Sequence, residues 1–228
     1  MAGVNHSRRR GRPKRGDGSP ELSKRRILTA AADAFARDGY GGARINDIAR
    51  RAGTNKRMLY HYFGGKEGLY TAVLEDAYAA FRAAERKLSI EDLLPEEGLS
   101  RLIEFTFDYC AENPRFIALL NNENLYRGRH VRTSGQVQAL FPPLIASIRK
   151  LLARGRMERR FRDGVDPLRL YISIASLGYF YFSNLHTLWV VLDRDLWAAT
   201  ERRAQRRHVV DLVLASLRLD SRPSADKK

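Results

Sequence analysis

The chain has 228 residues, 44% of them hydrophobic, a single cysteine and a formal net charge of +15. This length accommodates a small domain, a larger one and a real core, while the lone Cys110 excludes an intramolecular disulfide or a CxxC zinc site and is expected to serve packing. No run reaches the roughly 18 to 20 uninterrupted apolar residues of a membrane helix; the longest candidate, 170–192, is broken by Ser173, Ser176, Ser183, Asn184 and His186. No apolar run follows Arg8, Arg9 and Arg10, so no secretory signal is expected, and the expectation is a cytoplasmic protein with no membrane partner.

The charge is lopsided. Residues 1–66 hold 16 Lys+Arg against 5 Asp+Glu, whereas residues 67–228 hold 25 against 21. A concentrated positive end is the electrostatic footprint of a polyanion binder, through counterion release, although a membrane surface would attract it too. The first twenty residues are polar, Gly-rich and basic, with too little apolar surface to fold alone. Within them Arg10-Gly11-Arg12-Pro13-Lys14 resembles the Gly-Arg-Pro core of an AT-hook, whose arginines lie along a narrow minor groove; a merely solvated basic tail is the alternative.

Ser19, Pro20 and Glu21 supply an N-cap, a first-turn proline and a first-turn acid, predicting a helix that carries Ile27, Ala30, Ala31, Ala34 and Phe35 on one face and closes at Asp38-Gly39. The stretch INDIARRAGTNKRMLYHYFGGK, 45–66, follows. Ile48, Ala49 and Ala52 give a second helix an apolar face, Gly53 takes the positive φ that ends it, and Asn55 caps a third helix whose inner side carries Leu59. A helix-turn-helix needs a small residue at the close approach, a glycine in the turn and a buried aliphatic residue on its second helix. Ala49, Gly53 and Leu59 fill those roles, though an ordinary Ala/Gly helix hairpin has the same turn.

Helical spacing continues from Lys66 to about Leu88 through Leu69, Val73, Leu74, Ala77, Phe81 and Ala84. Further helices are predicted over 97–113, 114–126, 135–157 with an interruption at Pro142-Pro143, 167–192 after the Asp166-Pro167 start signal, and 195–217. No run of strands is found, and the residues after Leu219 read as a disordered tail. The fold class is all-α: a three-helix helix-turn-helix DNA-binding head and a larger helical-bundle body. The expected divisions are a basic arm at 1–19, the DNA-binding head at 20–66, a larger helical body at 67–220, which the family resemblance that follows makes a ligand-binding and dimerisation domain, and a tail at 221–228.

From about Ile27 to Leu69 the linked segments GYGGARINDIARRAG, NKRMLYHYF and GGKEGLY closely resemble the head of TetR-family transcription regulators, and GRMERRFRDGVDP resembles the family's approach to its eighth helix. The resemblance implies a homodimer, with each recognition helix in a major groove of a palindromic double-stranded DNA operator and heads spaced by roughly 34 to 36 Å. It also implies a body that binds a small organic effector and shifts that spacing, so that the protein acts as a ligand-responsive repressor. Lys56, Arg57, Tyr60, His61 and Tyr62 match the DNA-facing positions, and Lys66 matches a phosphate-contacting lysine. Lys56 and Arg57 suit base edges and Tyr60 and Lys66 suit phosphates, while Tyr62 and Phe63 have a partly core alternative. Ala43 and Arg44 stand where members commonly carry Thr or Ser, so Arg44 is expected to offer a charged phosphate bond, and Gly65 replaces a frequent capping serine.

The polar run NNENLYRGRH, 121–130, gives the body a weaker resemblance to the branch that regulates pyrimidine and nicotinate catabolism. Asn121 and Asn124 have two readings, ligand contact or locking of the bundle through satisfied buried amides. Phe105, Tyr109, Phe116, Tyr171, Tyr179 and His186 sit at helical spacings that either line a cavity for a flat aromatic or amphipathic effector or form plain core. Tyr179 and His186, seven apart, are expected on one helix face, and Trp189, Val190, Val209 and Val213 are expected at the dimer seam. No cofactor or metal is expected. Two other classes stay open: an architectural AT-rich DNA binder, for which removal of residues 1–18 would abolish binding, and an enzyme, which lacks any GxSxG, HExxH, Walker or Gly-rich dinucleotide motif.

Overall fold

The computed structural model describes residues 19–219; Arg10, Arg12, the basic arm and the C-terminal tail lie outside the described residues. Within them the chain is helical throughout, with one isolated β-bridge between Phe161 and Arg218. Helix α1 (Pro20–Gly42) begins where its signals stand: the Ser19 side chain accepts from the Leu22 amide and Pro20 occupies the first turn, a position where its missing N–H costs nothing. Its regular course ends at Gly39, at φ +69°. Helix α2 (Ile45–Arg51) and helix α3 (Lys56–Phe63) are joined through Gly53, at φ +64°, and the Asn55 side chain accepts from the Met58 amide at 3.1 Å.

Helix α4 (Lys66–Arg86) runs from head to body, followed by a 3-10 turn at Ile90–Asp92 and helices α5 (Pro95–Glu112) and α6 (Pro114–Leu125). Two short helices, α7 (Arg129–Arg132) and α8 (Gly135–Ala139), precede α9 (Phe141–Met157). The expected interruption is displaced: Pro142 and Pro143 fall in the first turn of α9 and the break lies at Leu140, because a proline is tolerated where the amide has no helical partner. The predicted 167–192 helix is two helices, α10 (Pro167–Ser183) and α11 (Leu185–Leu192). The Asn184 side chain donates to the Phe180 carbonyl at 3.0 Å and to Ser183 Oγ at 2.9 Å, a local bonding pattern that competes with helix continuation. The last helix, α12 (Ala199–Leu217), starts four residues later than expected; Asp195 instead caps a turn by accepting from the Trp197 amide.

Three apolar cores result. The head core joins Ile27, Phe35, Ile48, Ala49 and Leu59 to Leu69, Tyr70, Val73 and Leu74 of α4 and to Leu119 of α6, so α4 and α6 carry the head's packing into the body. A second core unites α5, α9, α10 and α12, and a third gathers Phe81, Phe107, Cys110, Phe116, Tyr181 and Phe182. Val209 and Val213 belong to the second core and are buried within the single chain, not free for the expected seam, because α12 turns that face onto α5. Trp189 and Val190 are exposed, as are Leu168, Ile172 and Phe180 along α10 and Leu212 on α12. No described helix is long and apolar enough to cross a membrane.

Candidate nucleic-acid interface and ligand cavity

Helix α3 presents two unlike faces. Leu59 is fully buried against Ala49 and Ile48 of α2, which fixes the crossing, while Lys56, Arg57, Tyr60 and His61 are exposed. Lys56 Nζ lies 5.5 Å above the Tyr60 ring, so a cation and an aromatic hydroxyl share one edge, the chemistry that pairs with phosphate and base acceptors. Arg44 is exposed at the start of α2 in extended conformation and forms no side-chain cap, whereas its neighbour Ala43 is packed into the head core. The position that lacks a hydroxyl is thus interior, and the charge stands beside it on the surface.

Tyr62 is half-buried against the head core and its ring carries the Lys24 ammonium at 5.5 Å. Lys66 is also engaged: its Nζ donates to the Gly41 carbonyl at 3.3 Å and sits 4.9 Å above the Tyr40 ring. Burial lowers its pKa below the ordinary lysine value. The Lys66 side chain therefore ties the start of α4 to the end of α1, with its remaining N–H donors available outward.

Helices α4, α5, α6, α9 and α10 line an open cavity of about 300 Å³ in the body. Phe116, Asn124, Tyr171 and Tyr179 line it together with Tyr78, Phe81, Arg82, Glu123 and Phe141, an apolar box with a few polar groups, as small-molecule sites usually are. Phe105 and Tyr109 stand behind it against Phe81, one tilted with ring centroids 5.6 Å apart and the other edge-on at 4.7 Å. Asn121 reaches the cavity only through Tyr179, whose hydroxyl donates to Asn121 Oδ1, while Asn124 Nδ2 donates to that hydroxyl at 3.3 Å. His186 faces elsewhere: with Asn121, Trp189 and Trp197 it lines a separate cleft. The break at Asn184 removes the continuous helix that would have aligned it with Tyr179.

The polar wall of the cavity, Arg82, is absent from the sequence reading, and so is Glu85, which lines a neighbouring cleft. Arg82 and Glu85 form a fully buried ion pair, and Arg82 Nη2 also donates to the Tyr171 hydroxyl at 2.6 Å. The guanidinium lies 4.5 Å from the Phe141 ring centre and 5.2 Å from that of Tyr171, and its Nε–H is buried without a partner. Burial raises the Glu85 carboxyl pKa against the opposing pull of Arg82, and it pushes the Tyr78 hydroxyl and the Cys110 thiol up to about 12. The available signal was spacing: Tyr78, Arg82 and Glu85 continue the inward register of Leu74, with opposite charges at i and i+3.

Comparisons with known proteins agree with this geometry. Residues 27–73 match the family model described as bacterial regulatory proteins, tetR family, and residues 95–213 match the tetracyclin repressor-like C-terminal domain. The chain is 40% identical over 192 residues to the HTH-type transcriptional repressor NicS of Pseudomonas putida, covering 84% of this chain and 91% of that one. It is 34% identical over 153 residues to the HTH-type transcriptional regulator RutR of Escherichia coli, covering 66% and 69%. A putative transcriptional regulator of Streptomyces coelicolor superposes with a TM-score of 0.64 at 24% identity, covering 88% of this chain and 99% of that one.

Proposed function

The chain belongs to the TetR family of transcriptional regulators, and on that premise we propose that it is a ligand-responsive repressor acting as a homodimer on a palindromic operator. It is a DNA-binding regulator and not an enzyme. In this reading residues 20–66 bind DNA and residues 67–220 bind effector and partner. Lys56 and Arg57 meet base edges in the major groove, Tyr60, His61 and Arg44 meet phosphates, and Tyr62 and Lys66 hold the register from the rim. The observation that carries the reading is α3 itself: a helix locked by Leu59 and the Gly53 turn, with Arg57 and His61 exposed on the side away from Leu59 and Lys56 exposed at its flank.

The second copy is expected on the exposed apolar surface of α10 and α11, where Leu168, Ile172, Phe180, Trp189 and Val190 lie open. An apolar surface of this kind marks an association site, and two-fold pairing sets the two copies of α3 about one helical turn apart. The effector is a small flat molecule seated among Phe116, Tyr171 and Tyr179, with an acceptor group toward Arg82. Sedimentation of the full chain should give a dimer at micromolar concentration, and metabolites of the neighbouring genes should be screened for release of DNA from it. A monomer would remove the two-half-site mechanism.

A further inference from the structure

Helix α6 carries four consecutive polar residues, Asn121 to Asn124, which the turn of an α-helix must send in different directions. Asn121 and Asn124 hold Tyr179 of α10 at the cavity wall. Asn122 faces the head, donating to Ala118 and Phe35 carbonyls at 2.9 and 3.5 Å. Its Oδ1 lies so close to Gly39 that a Cβ there would stand 2.7 Å away, and Gly39 is the left-handed residue that ends the regular part of α1.

Glu123 does both things at once. It lines the cavity, yet its carboxylate accepts from the His130 amide at 2.7 Å, from the Val131 amide at 3.1 Å and contacts His130 Nδ1 at 2.8 Å. Glu123 and His130 are both buried. The imidazole in turn packs on the head: its ring centre is 4.8 Å from that of Tyr40 and 4.7 Å from that of Tyr70. Tyr40 is the ring that carries the Lys66 ammonium, at the junction of α1 and α4 beside the DNA-facing surface. A continuous set of contacts therefore runs from cavity wall to head. The Tyr70 hydroxyl is buried without a hydrogen-bond partner in this arrangement.

We propose that Glu123 is a positioning residue that couples cavity occupancy to operator binding, through its hold on His130 and α7. In the structure the carboxylate is held by α7, and His130 packs on Tyr40 and Tyr70. An effector bearing an N–H or O–H donor competes for that carboxylate, α7 is released, and the junction of α1 and α4 loses its clamp. Any ligand can shift the head only by binding its two states unequally, and a donor group facing Glu123 supplies such a difference. This inference rests on the reading that the cavity takes an effector.

A double-mutant cycle on the full chain tests it, using a DNA duplex selected in vitro by the native protein. Ala175→Gln puts a side-chain N–H donor into the cavity in place of a ligand's, and Glu123→Gln weakens the hold on α7. Each single change is expected to weaken duplex binding about tenfold, within the usual range of allosteric coupling, and the pair should be no weaker than the weaker single variant. His130→Gln, which keeps a donor and much of the shape, should retain part of the coupling. Multiplying losses in the double variant, or a Glu123→Gln protein that melts earlier yet binds with native affinity, would overturn the coupling. Native affinity in Ala175→Gln would remove the effector reading itself, and the coupling with it.

Discussion

Head and body differ in where they keep their polar groups. Helices α2 and α3 bury Ile48, Ala49 and Leu59 and leave Arg44, Lys56 and Arg57 in solvent. The body buries Arg82, Glu85, Glu123 and His130 around and beside its cavity. An apolar interior with one close crossing gives a surface of constant shape, which is what reading DNA in register requires. Buried charges, by contrast, are stable only while each keeps its partners, so the body has interactions that a ligand can exchange. The comparison teaches that recognition and response are built from different materials in one chain.

The comparison breaks most readily at the buried pair. Arg82→Met leaves the Glu85 carboxylate uncompensated and is expected to cost about 3–5 kcal/mol, read by denaturant unfolding. The double variant Arg82→Met with Glu85→Leu should recover most of that loss, and failure to recover would place the contribution of Arg82 in packing. On the head side, Leu59→Ala removes the only fully buried side chain of α3 and is expected to cost about 2–5 kcal/mol. It should also weaken DNA binding more than it changes the spectroscopic signal of the body.

Surface changes on the head should act without unfolding it. Arg57→Ala is expected to cost about 1–3 kcal/mol of binding and to relax preference at one base position. Arg44→Ala should weaken binding evenly across sequences and reduce the salt slope by about 0.9, one phosphate contact; an unchanged slope in a binding titration would falsify that role. The smallest effect belongs to Cys110. Its thiol is buried and pushed up to about 12, above an unfolded value of about 8.5. The neutral thiol therefore stabilises the fold fully below the unfolded value, and that contribution falls as pH rises toward 12. At pH 8 the native thiol should resist alkylation that modifies the unfolded chain quickly.

The head was legible because its geometry depends on residue size at a few positions. Ala49, Gly53, Asn55 and Leu59 each have one structural use at their spacing, and all four have it in the fold. The start of α10 was legible for a similar reason, since Asp166 and Pro167 form its cap and first turn. The break at Asn184 was not, because it depends on side-chain bonds back to Phe180 and Ser183 and has no glycine or proline to announce it. The cavity was half legible: aromatic spacing found Phe116, Tyr171 and Tyr179. Arg82 and Glu85 went unread because a charge on the inward face of α4 is explained only by partners from α9 and α10, Phe141 and Tyr171, distant in sequence. The polar run at 121–130 was visible as a cluster, but its division between Tyr179, Phe35 and His130 follows from the three-dimensional position of α6.

The central claim is that α3 reads a two-fold-related DNA site, and in vitro selection by the full chain from a random duplex pool tests it most directly. The account predicts an inverted repeat whose half-sites are centred about 10 base pairs apart or a multiple of that spacing, with preference at the half-site lost in Arg57→Ala. Enrichment without any inverted repeat, or a preference untouched by changes at Lys56 and Arg57, would contradict it.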